Sequence, residues 1–126
     1  MYIITHINQH KVKTKVLQTQ REIMLGMMGK RFTGEFGALL FVLQPGNKKE
    51  TAFWMKNCLV PLDVVFINNG KINKIYHNCP PCIDKDECKT YPGKGDLVLE
   101  LPGGTCRELN IKRGEKIDFS KLQINK

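Results

Sequence analysis

Near the start of the chain, charged and apolar residues alternate strictly. Lys11, Lys13 and Lys15 interleave with Val12, Thr14 and Val16, the pattern of a strand with one solvated face. Residues 2–7 and 11–18 read as strands. Thr19-Gln20-Arg21-Glu22 has the spacing of a capping box. It predicts a short helix with an apolar stripe of Ile23, Met24, Met27 and Met28 and Gly29 as its stop. After a loop at Gly34–Gly37, Ala38–Leu43 reads as a buried strand ended by Pro45-Gly46. Residues 49–55 form the next strand, paired with it through Pro45–Lys48. Leu62–Ile67 is an apolar run interrupted only by Asp63. Alternation puts Asp63, Val65 and Ile67 on one face and Leu62, Val64 and Phe66 on the other. Asn68-Asn69-Gly70 has the chemistry of a tight hairpin into residues 71–77. Residues 97–101 are a further strand, broken by Pro102-Gly103-Gly104. A turn or helical piece over 105–110 and a last strand at 116–119 complete the series. Strands dominate and their spacing is short. The predicted class is mainly β, an antiparallel β-sandwich or partly closed barrel with one or two short helices.

The stretch Phe53-Trp54-Met55-Lys56-Asn57 changes that picture, because it sets charge among bulky apolar groups. A lysine there needs a partner or an exit to water. Pro61 then bends the chain into the run that buries Asp63. Lys56 and Asp63 thus become a candidate pair across the bend. Arg21, in the first turn of the helix where a cation is slightly disfavoured, and Glu100, inside a strand, are candidates to join them. Trp54 would supply an aromatic wall. The competing structural reading is an internal ion-pair network that fixes the ends of the sandwich.

Composition narrows the classes. The 126 residues allow one domain, 1–126, with a modest core, and a 41% hydrophobic share argues against wholesale disorder. Twenty Lys plus Arg against twelve Asp plus Glu give a net charge of +8, which raises nucleic acid as a partner. The basic residues are scattered, however, with small clusters at Lys30-Arg31, Lys48-Lys49 and Lys112-Arg113, and no helix-turn-helix or aromatic-studded basic motif is present. Nucleic acid is therefore kept as an alternative using Lys11, Lys13, Lys15, Lys112 and Arg113. No run approaches the ~20 apolar residues of a membrane span, so no membrane partner is expected. Met1–His6 lacks the features of a signal peptide, and the expected location is cytoplasmic.

Two further sets of residues bear on chemistry. No Gly-x-Ser-x-Gly elbow, phosphate-cradling glycine loop or His-Glu-x-x-His pair occurs. Cys79-Pro-Pro-Cys82 and Cys88, with His77 just before, admit three readings. A redox dithiol needs a helix amino terminus that the Pro-rich loop does not offer. A zinc site would use His77, Cys79, Cys82 and Cys88, but lacks a second Cys-x-x-Cys pair. In the third, the cysteines are structural clips or buried thiols. No cofactor is expected, zinc being the alternative. Five cysteines leave at least one thiol free.

Phe53-Trp54-Met55-Lys56-Asn57 followed by Pro61-Leu62-Asp63-Val64-Val65-Phe66-Ile67 resembles the signature of the domain of unknown function 192 family (DUF192). The likeness extends to Thr19-x-Arg21, Gly26-Met27-Met28, Gly37–Phe41, Pro81-Cys82 with Cys88, Val98–Gly104 and Gly114-Glu115, over about residues 12–119. It implies the same mainly β fold. It also implies a structural pairing of Cys82 with Cys88, with Cys79 standing where members usually carry an apolar residue. Members of the family are often exported, which the start of this chain does not match. The functional reading is a small-ligand site, sugar-like or anionic, at a cleft near Arg21, Trp54, Lys56, Asp63 and Glu100. Alternatives are a nucleic-acid-binding basic protein, a purely structural or interaction domain, and a hydrolytic enzyme. In the last, Asp63 or Glu100 would act as general base and Lys56 or Arg21 as electrostatic stabiliser.

Overall fold

A computed structural model describes residues 1–43 and 50–121, with the backbone alone at Lys121. Nine strands and two short helices are present among them: β1 Tyr2–Ile7, β2 His10–Leu17, α1 Gln20–Leu25, β3 Ala38–Val42, β4 Thr51–Trp54, β5 Leu62–Asn68, β6 Lys71–Cys79, β7 Thr90–Gly93, β8 Leu97–Pro102, α2 Thr105–Glu108 and β9 Asp118–Lys121. Seven strands form one curled sheet in the order β6-β5-β8-β3-β2-β1-β9, and β4 and β7 form a separate two-stranded sheet. The mainly β class with two short helices is as expected.

The three central strands explain the continuous apolar runs. β5, β8 and β3 are buried on both faces, so alternation divides each between two cores rather than between core and water. Leu39, Phe41, Leu62, Val64, Phe66 and Val98 face one core, closed by Met27, Met55 and Tyr91. Leu40, Val65, Ile67, Leu99 and Leu101 face the other, closed by Cys106, Ile111 and Ile117. The alternation expected for β5 is observed.

Local signals hold where local chemistry decides. Asn69 and Gly70 take φ of 52° and 76° in the β5–β6 hairpin, the left-handed geometry that Asn-Gly supplies. Thr19 caps α1 through Glu22 N–H, and the Glu22 carboxylate accepts the Thr19 N–H in return. The helix stops at Gly26 rather than Gly29. Gly26 sits at φ 44° with the Phe41 ring about 3.1 Å from where a Cβ would be. Met27 is buried beyond the helix end, and Met24, expected in the apolar stripe, is 72% exposed.

Pairing departs from expectation at two places. β3 does not pair with β4. It lies between β2 and β8, and β4 pairs with β7. The Pro45–Lys48 connection lies outside the described residues. β2 and β3 run parallel, with α1 in the crossover, so the sheet is not wholly antiparallel. The strand at β7 was not anticipated, because Pro92 within Thr90–Gly93 reads as a breaker. It is tolerated in a two-stranded sheet that needs few ladder bonds. Gly93 lets β7 pass directly over Phe66, whose ring carbon lies 2.6 Å from where a Cβ would stand. Phe41, Phe53, Phe66, Tyr76 and Tyr91 then form a chain of tilted and edge-on ring contacts at 5.0–6.2 Å between centroids. Each such contact is worth about 0.5–1.5 kcal/mol beyond its buried area, which docks the small sheet onto the large one.

Candidate functional site

β5 and β8 are antiparallel, with Asp63 opposite Leu101 and Val64 opposite Glu100. Directly opposed residues point to the same face, so Asp63 and Glu100 point to opposite faces of the sheet. This register decides which of the candidate charges can meet.

Asp63 is fully buried on the α2 side. Its Oδ1 accepts the N–H of Asn78 at 2.7 Å and of Gly104 at 3.0 Å, and its Oδ2 accepts the N–H of Cys106 at 2.7 Å. Three backbone donors compensate the charge that burial would otherwise make costly. Beside it, the Gly103 N–H donates to Pro61 C=O at 2.9 Å. A side chain at Gly103 would run into Asn78 Oδ1 and the Pro61 backbone. Pro61-Leu62-Asp63 and Pro102-Gly103-Gly104 are therefore the two halves of one lock joining β5, β6, β8 and α2. The lock is positioned by backbone hydrogen bonding, and Lys56 is not part of it.

Glu100 lies on the other face, 3% exposed. Burial pushes its carboxyl up to about 8, with no compensating hydrogen bond or cation among the described residues. It reaches a cleft of about 220 Å³. Ile23, Met24 and Leu25 of α1 form one wall, Phe41 and Phe53 the floor, and Trp54 with Lys56 the opposite rim. Cys58 also lines it, its thiol pushed up to about 12 by burial and then by the Glu100 charge. Met24, Leu25 and Trp54, 44% exposed, make an apolar mouth. The Lys56 ammonium lies 5.1 Å from the centre of the Trp54 ring, a cation–π contact that answers the need for a partner.

The Lys56 segment is held in place by the cysteine loop. Asn57 N–H donates to Cys82 C=O at 2.9 Å and Cys82 N–H to Met55 C=O at 3.0 Å, while Asn57 C=O accepts the Gly29 N–H at 3.0 Å. Asn57 takes φ 56°, which asparagine tolerates better than most residues. Cys82 and Cys88 are joined as a disulfide, and Cys58, Cys79 and Cys106 are free and buried. Cys79 is pushed up to about 11 by burial, the state of an inert thiol rather than half of a redox dithiol. No group of three or more His, Cys, Asp or Glu with metal-binding geometry occurs among the described residues, and His77, Cys79, Cys82 and Cys88 are not gathered.

Of the five candidate residues, Trp54, Lys56 and Glu100 thus share one cleft. Asp63 faces away from it, and Arg21, exposed on α1, does not line it. The apolar cleft wall of Ile23, Met24 and Leu25 went unrecognised in the sequence, where it looks like ordinary core filling.

A search of curated proteins gives no match to this chain. Among solved structures, a protein of unknown function from Novosphingobium aromaticivorans DSM 12444 is similar at 26% identity and a TM-score of 0.76, over 93% of this chain and 82% of that one. A protein from Sinorhizobium meliloti 1021 described as a "putative transcription regulator" shares the fold at 24% identity and a TM-score of 0.75, over 94% of this chain and 92% of the other. No helix among the described residues is long and apolar enough to cross a membrane. The family signature matches residues 3–119, extending the resemblance to nearly the whole length, and the chain belongs to the DUF192 family, described as an uncharacterized ACR.

Proposed function

We propose that the chain binds a small, neutral, hydroxylated molecule of sugar-like size in the cleft between Trp54, Lys56 and Glu100. The observation that carries this reading is a buried carboxyl at the base of a solvent-reachable cleft with an aromatic rim. Because that carboxyl is protonated at neutral pH, it offers an O–H donor and an acceptor where water is scarce. An apolar ring face against Trp54, with hydroxyls reaching Glu100 and the Lys56 ammonium, uses all three groups. The cleft volume of about 220 Å³ is below the roughly 300–1,000 Å³ of pockets for drug-sized ligands, so the occupant is about one ring in size. An anion fits less well, since a second negative group beside Glu100 is opposed by the same poor solvation. Acid/base hydrolysis by paired carboxylates loses its geometry when Asp63 and Glu100 lie on opposite faces.

The test is a thermal-shift screen with monosaccharides and polyols on the parent, Trp54→Ala and Glu100→Gln. A ligand present at about 100 times its Kd stabilises by about 2.7 kcal/mol, easily visible as a rise in Tm. The rise should vanish in Trp54→Ala and shrink in Glu100→Gln. A rise that persists in both variants, or none with any compound, overturns the reading.

A further inference from the structure

On the opposite side of the sheet lies a larger groove, about 700 Å³, that has no part in the cleft. Asn73, Ile75 and His77, alternate positions along the edge strand β6, form one wall. Cys106 and Arg107 of α2 and the segment Asn110–Arg113 form the other. Arg107, Lys112 and Arg113 are exposed along the groove, and no carboxylate lines it. The acidic groups nearby are Asp63, Glu108 and Glu115. Asp63 is sealed on three backbone amides, Glu108 is exposed on α2, and the Glu115 carboxylate accepts the Lys112 N–H at 3.1 Å.

The cation-bearing segment is built rather than loose. Gly114, at φ 91°, donates to Ile72 C=O at 2.8 Å, and Ile72 N–H donates to Glu115 C=O at 2.9 Å, which ties the turn to β6. Ile111 N–H donates to Cys106 C=O at 2.7 Å, and Asn8 Nδ2 donates to Asn110 C=O at 3.0 Å. Fixed donors lose less freedom on binding. On the inner wall, His77 Nδ1 is buried without a hydrogen-bond partner among the described residues, an uncompensated polar atom in a site otherwise rich in donors.

We infer that this groove binds the phosphate of a small phosphorylated molecule. Two guanidinium groups and an ammonium on a preformed wall match a tetrahedral oxyanion, which arginine holds through paired N–H donors. The volume is that of a pocket for a nucleotide-sized ligand. A nucleic-acid track is disfavoured by the sheet order. Lys11, Lys13 and Lys15 lie on β2, four strands from β6, roughly 19 Å away along the sheet, so the two basic regions do not run together.

The probes are sodium pyrophosphate, adenosine monophosphate and a single-stranded DNA oligonucleotide, titrated into the ¹⁵N-labelled protein at about 0.15 M salt. Pyrophosphate should saturate in the millimolar range or below, with amide shifts confined to residues 73–77 and 105–114. Arg107→Ala with Arg113→Ala should weaken it by about tenfold or more, and His77→Leu should act in the same direction. Lys11→Ala with Lys13→Ala should leave it within about twofold. Three results overturn the inference: no saturation by pyrophosphate, shifts spread over β2 as well as the groove, or monophosphate binding without pyrophosphate binding. DNA bound more tightly than either small probe, with affinity that falls steeply with salt, would make the groove part of a nucleic-acid surface and overturn it too.

Discussion

Replacing Glu100 by Gln should stabilise the protein, increasingly so as pH rises. Gln has the shape of Glu and does not ionise, so it escapes the cost of placing a charge at the base of the cleft. The Glu100 carboxyl is raised from 4.5 to about 8 in the folded chain. Between those values the native state keeps a proton that the unfolded chain has released, so parent stability falls with rising pH. At about 1.4 kcal/mol per pH unit the full loss is on the order of 4–5 kcal/mol, with roughly 3 kcal/mol already incurred at pH 7. The other titrating groups are common to both proteins and cancel in the difference. Urea unfolding followed by circular dichroism, from about pH 5 to about pH 9, should therefore show a gap between Glu100→Gln and parent. That gap widens by roughly 3 kcal/mol up to pH 7 and levels off above about pH 8. In a chain of 126 residues this is a relative Tm gain of about 10 °C at neutral pH. A gap that is constant or narrows with pH would refute the argument, because it would mean that Glu100 is ionised or well solvated in the folded state.

Three further outcomes are expected. Asp63→Asn leaves the Asn78, Gly104 and Cys106 amides with one carbonyl oxygen and a misplaced NH₂, and should cost about 3–5 kcal/mol in urea unfolding at pH 7. A loss under about 1 kcal/mol would contradict the lock. Gly95→Ala should destabilise by about 1–3 kcal/mol or more, since its Cβ would meet the Ile67 backbone, which cannot yield as a flexible side chain would. A variant as stable as the parent would show that β7 can shift away. Reducing the Cys82–Cys88 disulfide should cost about 2 kcal/mol from loop entropy. Because Cys82 brackets Met55 and Asn57, it should also speed amide exchange at 55–58, and unchanged exchange there would uncouple the cysteine loop from the Lys56 segment.

The sequence by itself determined what depends on neighbours along the chain. The Thr19–Glu22 cap, the Asn69-Gly70 hairpin, the two-faced alternation of Leu62–Ile67 and the mainly β class all follow from spacing and residue type. The signature at Phe53–Ile67 led to the family and, through it, to the Cys82–Cys88 pairing, which the structure contains. Tertiary structure decided the rest. Strand order placed β3 between β2 and β8, far from the β4 that follows it, and recruited β7 across Pro92. Most consequentially, a register of one residue between β5 and β8 sent Asp63 and Glu100 to opposite faces. One became a structural lock satisfied by backbone amides, the other an uncompensated acid at the base of a cleft. Periodicity assigns alternate residues of a strand to alternate faces, but which face of one strand matches which of another is fixed only when the two are paired. For the same reason the basic groove was invisible, because His77, Arg107 and Arg113 approach one another only where β6 and α2 meet.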